Sequence, residues 1–221
     1  MPPKILLEDR AVAVSKVICV ARNYADHAKE MGTPVPKEPV FFLKPSSALL
    51  PGGGTILLPP QSQRVEVETE LAVILGAEGQ DVRAADAMGL VAGYAVFYDI
   101  TARDLQATAR KEGSPWTAAK GFDTFAPISE GVAASRISDP HSLRILIRVN
   151  GSIRQNSNTS QMVFRIPELI EAASRIMSLE PGDILATGTP AGVWPIVSGD
   201  ELVADIEGVG TLRCKVAPRK R

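Results

Sequence analysis

The sequence predicts an α+β protein built mainly from β-strands, and three features carry that prediction. Short apolar runs rich in β-branched residues recur along the 221 residues, and such residues favour extended backbone. Glycine (18) and proline (17) are plentiful and dispersed, as in a chain of many strands joined by turns. Only about four stretches carry helical spacing and end signals. They lie between strands and do not form a block of their own.

Ile5-Leu6-Leu7 and Val17-Ile18-Cys19-Val20 read as the first strands. Asn23 as N-cap and Gly32 as stop bracket about two helical turns, in which His27 and Glu30 form an i,i+3 pair. A loop with Pro34, Pro36 and Pro39 follows and could act as a flap. Residues 41–44 read as a strand. Pro51-Gly52-Gly53-Gly54 is a turn and not a phosphate loop, since no Gly-Lys-Ser/Thr follows. Ile56-Leu57-Leu58 leads through Pro59-Pro60 into a long strand over 65–76.

Residues 82–88 predict a short helix, and 91–100 a strongly apolar strand with Asp99 near its end. Thr101 and Asp104 have capping-box spacing and open a helix that reaches Lys111. Residues 116–123 read as a loop holding one cation, Lys120, in small apolar company. The strand over 143–149 meets Asn150-Gly151, the best hairpin signal in the chain. Residues 152–155 return, and 156–161 form a polar loop. Pro167 opens an amphipathic helix with Leu169, Ile170, Ala173, Ile176 and Met177 inward. Strand 184–187, the tight loop Gly188-Thr189-Pro190-Ala191-Gly192, and strands near 201–206 and 211–216 complete the order.

A hydrophobic share of 45% and a charged share of 22% are ordinary for a globular protein, and the length suits one domain over 1–221. Net charge is −1 with dispersed Lys and Arg, which leaves no footprint for nucleic acid or an anionic membrane. Arg219-Lys220-Arg221 reads as a solvated terminus. No apolar run approaches the ~20 residues of a bilayer span, and Met1-Pro2-Pro3-Lys4 lacks a secretory pattern. Cys19 and Cys214, without CxxC spacing, read as buried thiols of a reducing compartment, so the expected location is cytoplasmic.

The chemistry is concentrated in Val65-Glu66-Val67-Glu68-Thr69-Glu70-Leu71. In a strand the three glutamates share one face, with successive carboxylates roughly 6.6 Å apart at the backbone. A solvated edge face is the bland reading. Against it, the same face turns apolar at Ala72 and Ile74, which suggests that the acids border a pocket and need a counter-charge. Glu68 and Glu70 with Asp99 from the next strand would suit Mg²⁺, or Mn²⁺, with water and substrate completing the sphere. His27 with Glu30 has the form of a base and its orienting carboxylate, or of a plain surface helix pair. His141 reads as a surface-turn residue, and Lys120 as either a solvated or a buried cation.

Taken together the motifs resemble the fumarylacetoacetate hydrolase superfamily, in its short acylpyruvate and fumarylpyruvate hydrolase-like branch. The stretches that carry the likeness are Arg22-Asn23-Tyr24-Ala25-Asp26-His27-Ala28-Lys29-Glu30, Phe42-Leu43-Lys44-Pro45-Ser46, Glu68-Thr69-Glu70-Leu71-Ala72 and Asp99-Ile100-Thr101-Ala102-Arg103-Asp104-Leu105-Gln106. They continue with Lys120-Gly121-Phe122-Asp123, Val149-Asn150-Gly151, Gln155 and Thr187-Gly188-Thr189-Pro190-Ala191-Gly192-Val193. Ala21 and Thr69 differ from the residues usual at their positions in the family.

The resemblance implies a mixed β-roll assembled as a homodimer, with N-terminal strands over 1–20, a lid over 22–38 and a metal-site core over 56–216. It implies Glu68, Glu70 and Asp99 as ligands of Mg²⁺ or Mn²⁺, and His27 and Glu30 as a water-activating dyad on the lid. Lys120 would face the substrate, with Arg22, Gln106 and Thr189 on its carboxylate and keto groups. The implied reaction is hydrolytic C–C cleavage of a 2,4-diketo acid. Oxaloacetate decarboxylation or meta-cleavage-pathway isomerisation on the same site is the rival, and a non-catalytic metal-stabilised binding module is the alternative of another class.

Overall fold

Strand Thr69–Leu75 is buried along its whole length, and its unbroken apolar run reflects packed neighbours on both faces. Leu71, Val73 and Leu75 enter one hydrophobic core with Val96 and Tyr98 of the adjacent strand Val91–Tyr98. Ala72 and Ile74 enter a second with Ala95, Phe97, Val17 and Ala186. The computed structural model describes residues 2–219; Lys220 and Arg221 of the basic tail lie outside them.

This strand sits inside an eight-stranded mixed sheet. The order is Val40–Lys44, Val17–Ala21, Ile184–Ala186, Thr69–Leu75, Val91–Tyr98, Ala126–Ile128 and Leu49–Pro51, with Val132–Ala133 also on Val91–Tyr98. Ile184–Ala186 runs parallel to Val17–Ala21, and Ala126–Ile128 parallel to Leu49–Pro51. A five-stranded sheet (Ser152–Asn158, Arg144–Val149, Glu201–Ile206, Gly210–Pro218, Gly54–Leu58) adds Ile145, Ile147, Leu202 and Leu212 to the first core. The Tyr98 hydroxyl donates to the Leu212 carbonyl at 2.9 Å and ties the two sheets together. The result is the mainly β architecture that the sequence predicts.

The strand expected over 65–76 is broken at Glu68. Val65–Val67 pairs with Thr101–Ala102 and Trp194–Ile196 in a small three-stranded sheet, while Thr69–Leu75 joins the large one. The chain changes sheets at Glu68, so an acid sits at the junction. Arg10–Ala13, which pairs with Lys4–Leu7, escaped the sequence reading because it is short and largely exposed.

The helices are α1 Ala25–Glu30, α2 Ala84–Ala87, α3 Arg103–Glu112, α4 Thr117–Lys120 and α5 Ile166–Ser174. Several end signals act differently from expectation. Tyr24 is the N-cap of α1, because the Asn23 amide is used elsewhere: it donates to the Phe164 and Thr187 carbonyls and accepts the Phe164 N–H. Gly32 does take the left-handed conformation, with φ 62°. Thr101 and Asp104 form no capping box: Thr101 turns inward to Lys120, and Asp104 binds Ser62 and the Gln63 N–H. α4 replaces the expected loop and buries Lys120. Ile176 lies past the end of α5 and is 66% exposed. Asn150 and Gly151, with φ 51° and 78°, form the expected tight hairpin turn. Both cysteines are buried and free. Among the described residues no helix is long and apolar enough to cross a membrane.

His141 is a correction with a measurable consequence. Its side chain is only 11% exposed, and its Nε2 accepts the Ile166 N–H at the start of α5 at 3.1 Å. Burial, then the nearby Arg165 charge, lowers its pKa below the ordinary 6.5, against an opposing pull from Asp139. Protonation would remove the acceptor lone pair. The unfolded chain therefore takes a proton near pH 6.5 that the folded chain resists. The His141 contribution to stability is full above that pH and is lost as pH falls below it. Melting temperatures between pH 7.5 and 5.5 are expected to fall more steeply for the wild type than for His141→Gln. Parallel curves would remove this histidine from the acid response.

Candidate active site

The sheet change at Glu68 and the end of strand Val91–Tyr98 meet, with the Asp99 N–H donating to the Glu68 carbonyl at 2.9 Å. Side chains from two strands are thereby brought side by side. Glu68, Glu70 and Asp99 are all buried, and each offers an oxygen within 4.8 Å of the others. Glu66 is held apart: it accepts Arg64 Nε at 2.7 Å and Arg103 Nε at 2.5 Å.

Three buried cations surround the acids. Arg103, at the start of α3, also donates to Glu68 and, at 2.6 Å, to Gln106 Oε1. Lys120 Nζ lies 2.6 Å from Asp99 Oδ2, 2.7 Å from Thr101 Oγ1 and 3.1 Å from Glu68 Oε2. Lys44 Nζ lies 2.8 Å from Asp99 Oδ1 and donates to the carbonyls of Ile100, Lys120 and Phe125 at 2.9, 2.8 and 2.9 Å.

Glu70 has no such cation and takes only the Gly188 N–H, at 2.7 Å. Gly188 has φ 89°, and a Cβ there would lie 2.8 Å from that of Asn23, so only glycine presents this N–H without strain. Burial, then Asp99 and Glu68, pushes the Glu70 carboxyl well above the ordinary carboxylate range. For Glu68 burial also acts upward, but Lys120 and Arg103 outweigh it and hold the group below that range. Four buried carboxylates thus face three buried cations, and the uncompensated charge falls at Glu70. An all-oxygen donor set with an unneutralised charge fits a hard divalent cation such as Mg²⁺ or Mn²⁺.

His27 is buried on the inner side of α1, with Nδ1 3.2 Å from Glu30 Oε2. Glu30 in turn accepts the Gly192 N–H at 3.1 and 3.2 Å, which seats the pair on the 188–192 loop. A cleft of about 110 Å³ is lined by the three acids with Arg22, His27, Gln106, Lys120 and Thr189. Of the nine residues given a catalytic, substrate or metal role from sequence, only Glu30 stands outside this lining, behind His27. Arg22 holds a left-handed φ of 58°, and its Nε is buried with no acceptor. Thr189 donates its hydroxyl proton to the Thr69 carbonyl and accepts from Gln155 Nε2. Towards the cleft that hydroxyl can only accept.

Sequence reasoning gave no role to Lys44, Arg103 or Gln155. Arg103 carried a usable signal, since it lies three residues before Gln106 on the same helix face. Gln155 sits in a strand that shows only as polar, yet its amide clamps Thr69 N–H, Thr189 and the Pro190 carbonyl.

The family model for the fumarylacetoacetate hydrolase C-terminal region matches residues 16–217. The chain belongs to the fumarylacetoacetate hydrolase family. Within this family of enzymes it is 49% identical over 200 residues to mouse (Mus musculus) mitochondrial oxaloacetate tautomerase FAHD1, covering 90% of each chain. The structure of fumarylpyruvate hydrolase from Pseudomonas aeruginosa in complex with Mn²⁺ and pyruvate is similar at a TM-score of 0.93 and 37% identity. That match covers 99% of this chain and 97% of the other. The 5-carboxymethyl-2-hydroxymuconate delta-isomerase structure from Mycobacterium smegmatis gives a TM-score of 0.85 at 41% identity, over 96% and 82% of the two chains. The fold is that of the family, and the acid cluster is its candidate metal site.

Proposed function

We propose that this enzyme cleaves a carbon–carbon bond in a 2,4-diketo acid with water, giving pyruvate and a carboxylic acid. The observation that carries the proposal is the buried His27, backed by the exposed carboxylate of Glu30, on the wall of a cleft floored by three clustered carboxylates. Glu68, Glu70 and Asp99 would hold Mg²⁺ or Mn²⁺, which when bound supplies Lewis-acid chemistry at the keto-acid end of the substrate.

Glu30 occupies Nδ1 of His27 and leaves Nε2 to act as the base. Nε2 takes a proton from water as the oxygen attacks the 4-carbonyl carbon. The C3–C4 bond then breaks: its electron pair moves to the pyruvate enolate, and the acyl part leaves as the acid. His27 returns its proton to C3. The Lys120 ammonium, buried on the cleft floor, opposes the charge that develops on the enolate. Gln106 and Arg22 offer donors to the carboxylate and keto oxygens, whereas the Thr189 hydroxyl, its proton held by the Thr69 carbonyl, offers them none. Residues 22–38 serve as the lid, and the family likeness favours a homodimer; the two buried free thiols suit a reducing, cytoplasmic compartment.

A second reading is keto–enol conversion of oxaloacetate, favoured by the relative that bears that name. It would use His27 as a proton carrier and no attacking water. A panel of acetylpyruvate, fumarylpyruvate and oxaloacetate, assayed with and without EDTA, tests both. EDTA-sensitive release of pyruvate and acid from an acylpyruvate is the expected result. Interconversion of oxaloacetate forms with no acylpyruvate cleavage would replace the first reading by the second.

A further inference from the structure

Strand Ser152–Asn158 fully buries a single residue, and that residue is polar. Ile153 is 51% exposed, whereas Gln155 is 1% exposed. Two positions apart in a regular strand, the two would share a face. The pairing shows why they do not. Arg148 lies opposite Ile153 and Ile147 opposite Gln155, which leaves Arg154 as an extra residue. Such a bulge re-aims the side chain beside it, and here it also shapes the neighbouring loop. Gly192 has φ 95°, and a Cβ there would strike the Arg154 carbonyl oxygen, so only glycine fits against the bulge.

Both ends of the buried amide are engaged. Oε1 accepts the Thr69 N–H at 3.0 Å, between the candidate ligands Glu68 and Glu70. Nε2 donates to Thr189 Oγ1 and to the Pro190 carbonyl, at 2.8 and 2.7 Å. Those two groups form the middle of the 188–192 loop. One end of that loop gives its Gly188 N–H to Glu70, and the other gives its Gly192 N–H to Glu30. The loop is thus a short span between the acid cluster and the His27–Glu30 pair, fastened at its centre by Gln155. Resting on the reading of that pair as the hydrolytic base, we propose that Gln155 is a positioning residue for it. Gln155 lies outside the cleft lining. It acts through Glu30, fixing where His27 stands relative to the strand that carries Glu68 and Glu70.

The test is a double-mutant cycle in acetylpyruvate hydrolysis by the full-length protein at saturating Mn²⁺. Methionine is close to glutamine in volume and makes none of its hydrogen bonds. Gln155→Met is expected to lower kcat by about 10²-fold, as for a displacement on the order of 1 Å, with KM within about threefold. In a Glu30→Ala background the link to the loop is already cut, and the same change should cost less than about threefold. Single-turnover assays with enzyme in excess keep that background measurable. Gln155→Asn keeps the amide and shortens its reach; it carries the same cycle where methionine prevents folding. A second readout needs no turnover. The chain has two histidines, and in the metal-free protein the NMR shifts of the His27 ring nitrogens should move in the Gln155 variants while those of His141 stay. Equal kcat losses with and without Glu30, or shifts that move in both rings, would make Gln155 a general support of the fold and overturn the proposal. So would an unchanged kcat or an unmoved His27 ring. A wild type that leaves acetylpyruvate intact overturns the hydrolytic reading, and the positioning role with it.

Discussion

His27→Ala is expected to lower the rate of acylpyruvate cleavage by about 10²–10⁴-fold, the range for loss of a positioned base. Mn²⁺ affinity should stay within about threefold, because the ring is not among the clustered donors and the change removes no metal ligand. Glu30→Gln should cost less in rate, since the amide can still hold Nδ1 but cannot stabilise the imidazolium. It should also disturb the seat of α1, because both Glu30 oxygens lie within reach of the Gly192 N–H. Oxaloacetate decarboxylation, which needs no attacking water, should lose less than hydrolysis in His27→Ala. Steady-state kinetics with Mn²⁺ titration on the same preparation measures all of these. Undiminished acylpyruvate turnover in His27→Ala would take the dyad out of the mechanism.

The part of this site that sequence makes legible is the part that depends on local periodicity. Glu68 and Glu70 are two residues apart in an extended stretch, and Asp99 ends the next apolar strand, so antiparallel pairing of the two strands brings them together. His27 and Glu30 are one helical turn apart for the same kind of reason. Periodicity alone could not separate Glu66 from its neighbours, because what removes it from the cluster is Arg103, folded back from 37 residues away. The break at Glu68 was hidden for a related cause: Val65–Val67 is claimed by Trp194–Ile196, a partner that local sequence does not announce. The position of Lys120 depended on whether 117–120 turns as a helix, and four residues hold too little pattern to show it. Of all the missed residues, Lys44 was the least visible. Three of its partners are main-chain carbonyls 56, 76 and 81 residues away, and carbonyls have no sequence signature.

Lys44→Met is expected to be the most damaging of these substitutions to the fold. The ammonium is buried, with 1% of the residue exposed, and it is surrounded by Asp99 and the carbonyls of Ile100, Lys120 and Phe125. Methionine is similar in volume, and as a filler it would cost less than about 1.5 kcal/mol. It offers no donor, however, so a carboxylate and three carbonyls would face hydrocarbon. Removing one partner of a buried ion pair costs about 3–5 kcal/mol, and that larger figure is the expected loss in denaturant unfolding of the metal-free protein. The carbonyl of Lys120 is one of those released, so α4 and the Lys120 ammonium should shift, and Mn²⁺ affinity should fall as Asp99 loses its clamp. Saturating Mn²⁺ should restore only part of the stability, since an ion at Glu68, Glu70 and Asp99 compensates the carboxylate but cannot reach every freed carbonyl. A loss under about 1 kcal/mol with unchanged Mn²⁺ affinity would mean that Lys44 fills space and organises nothing.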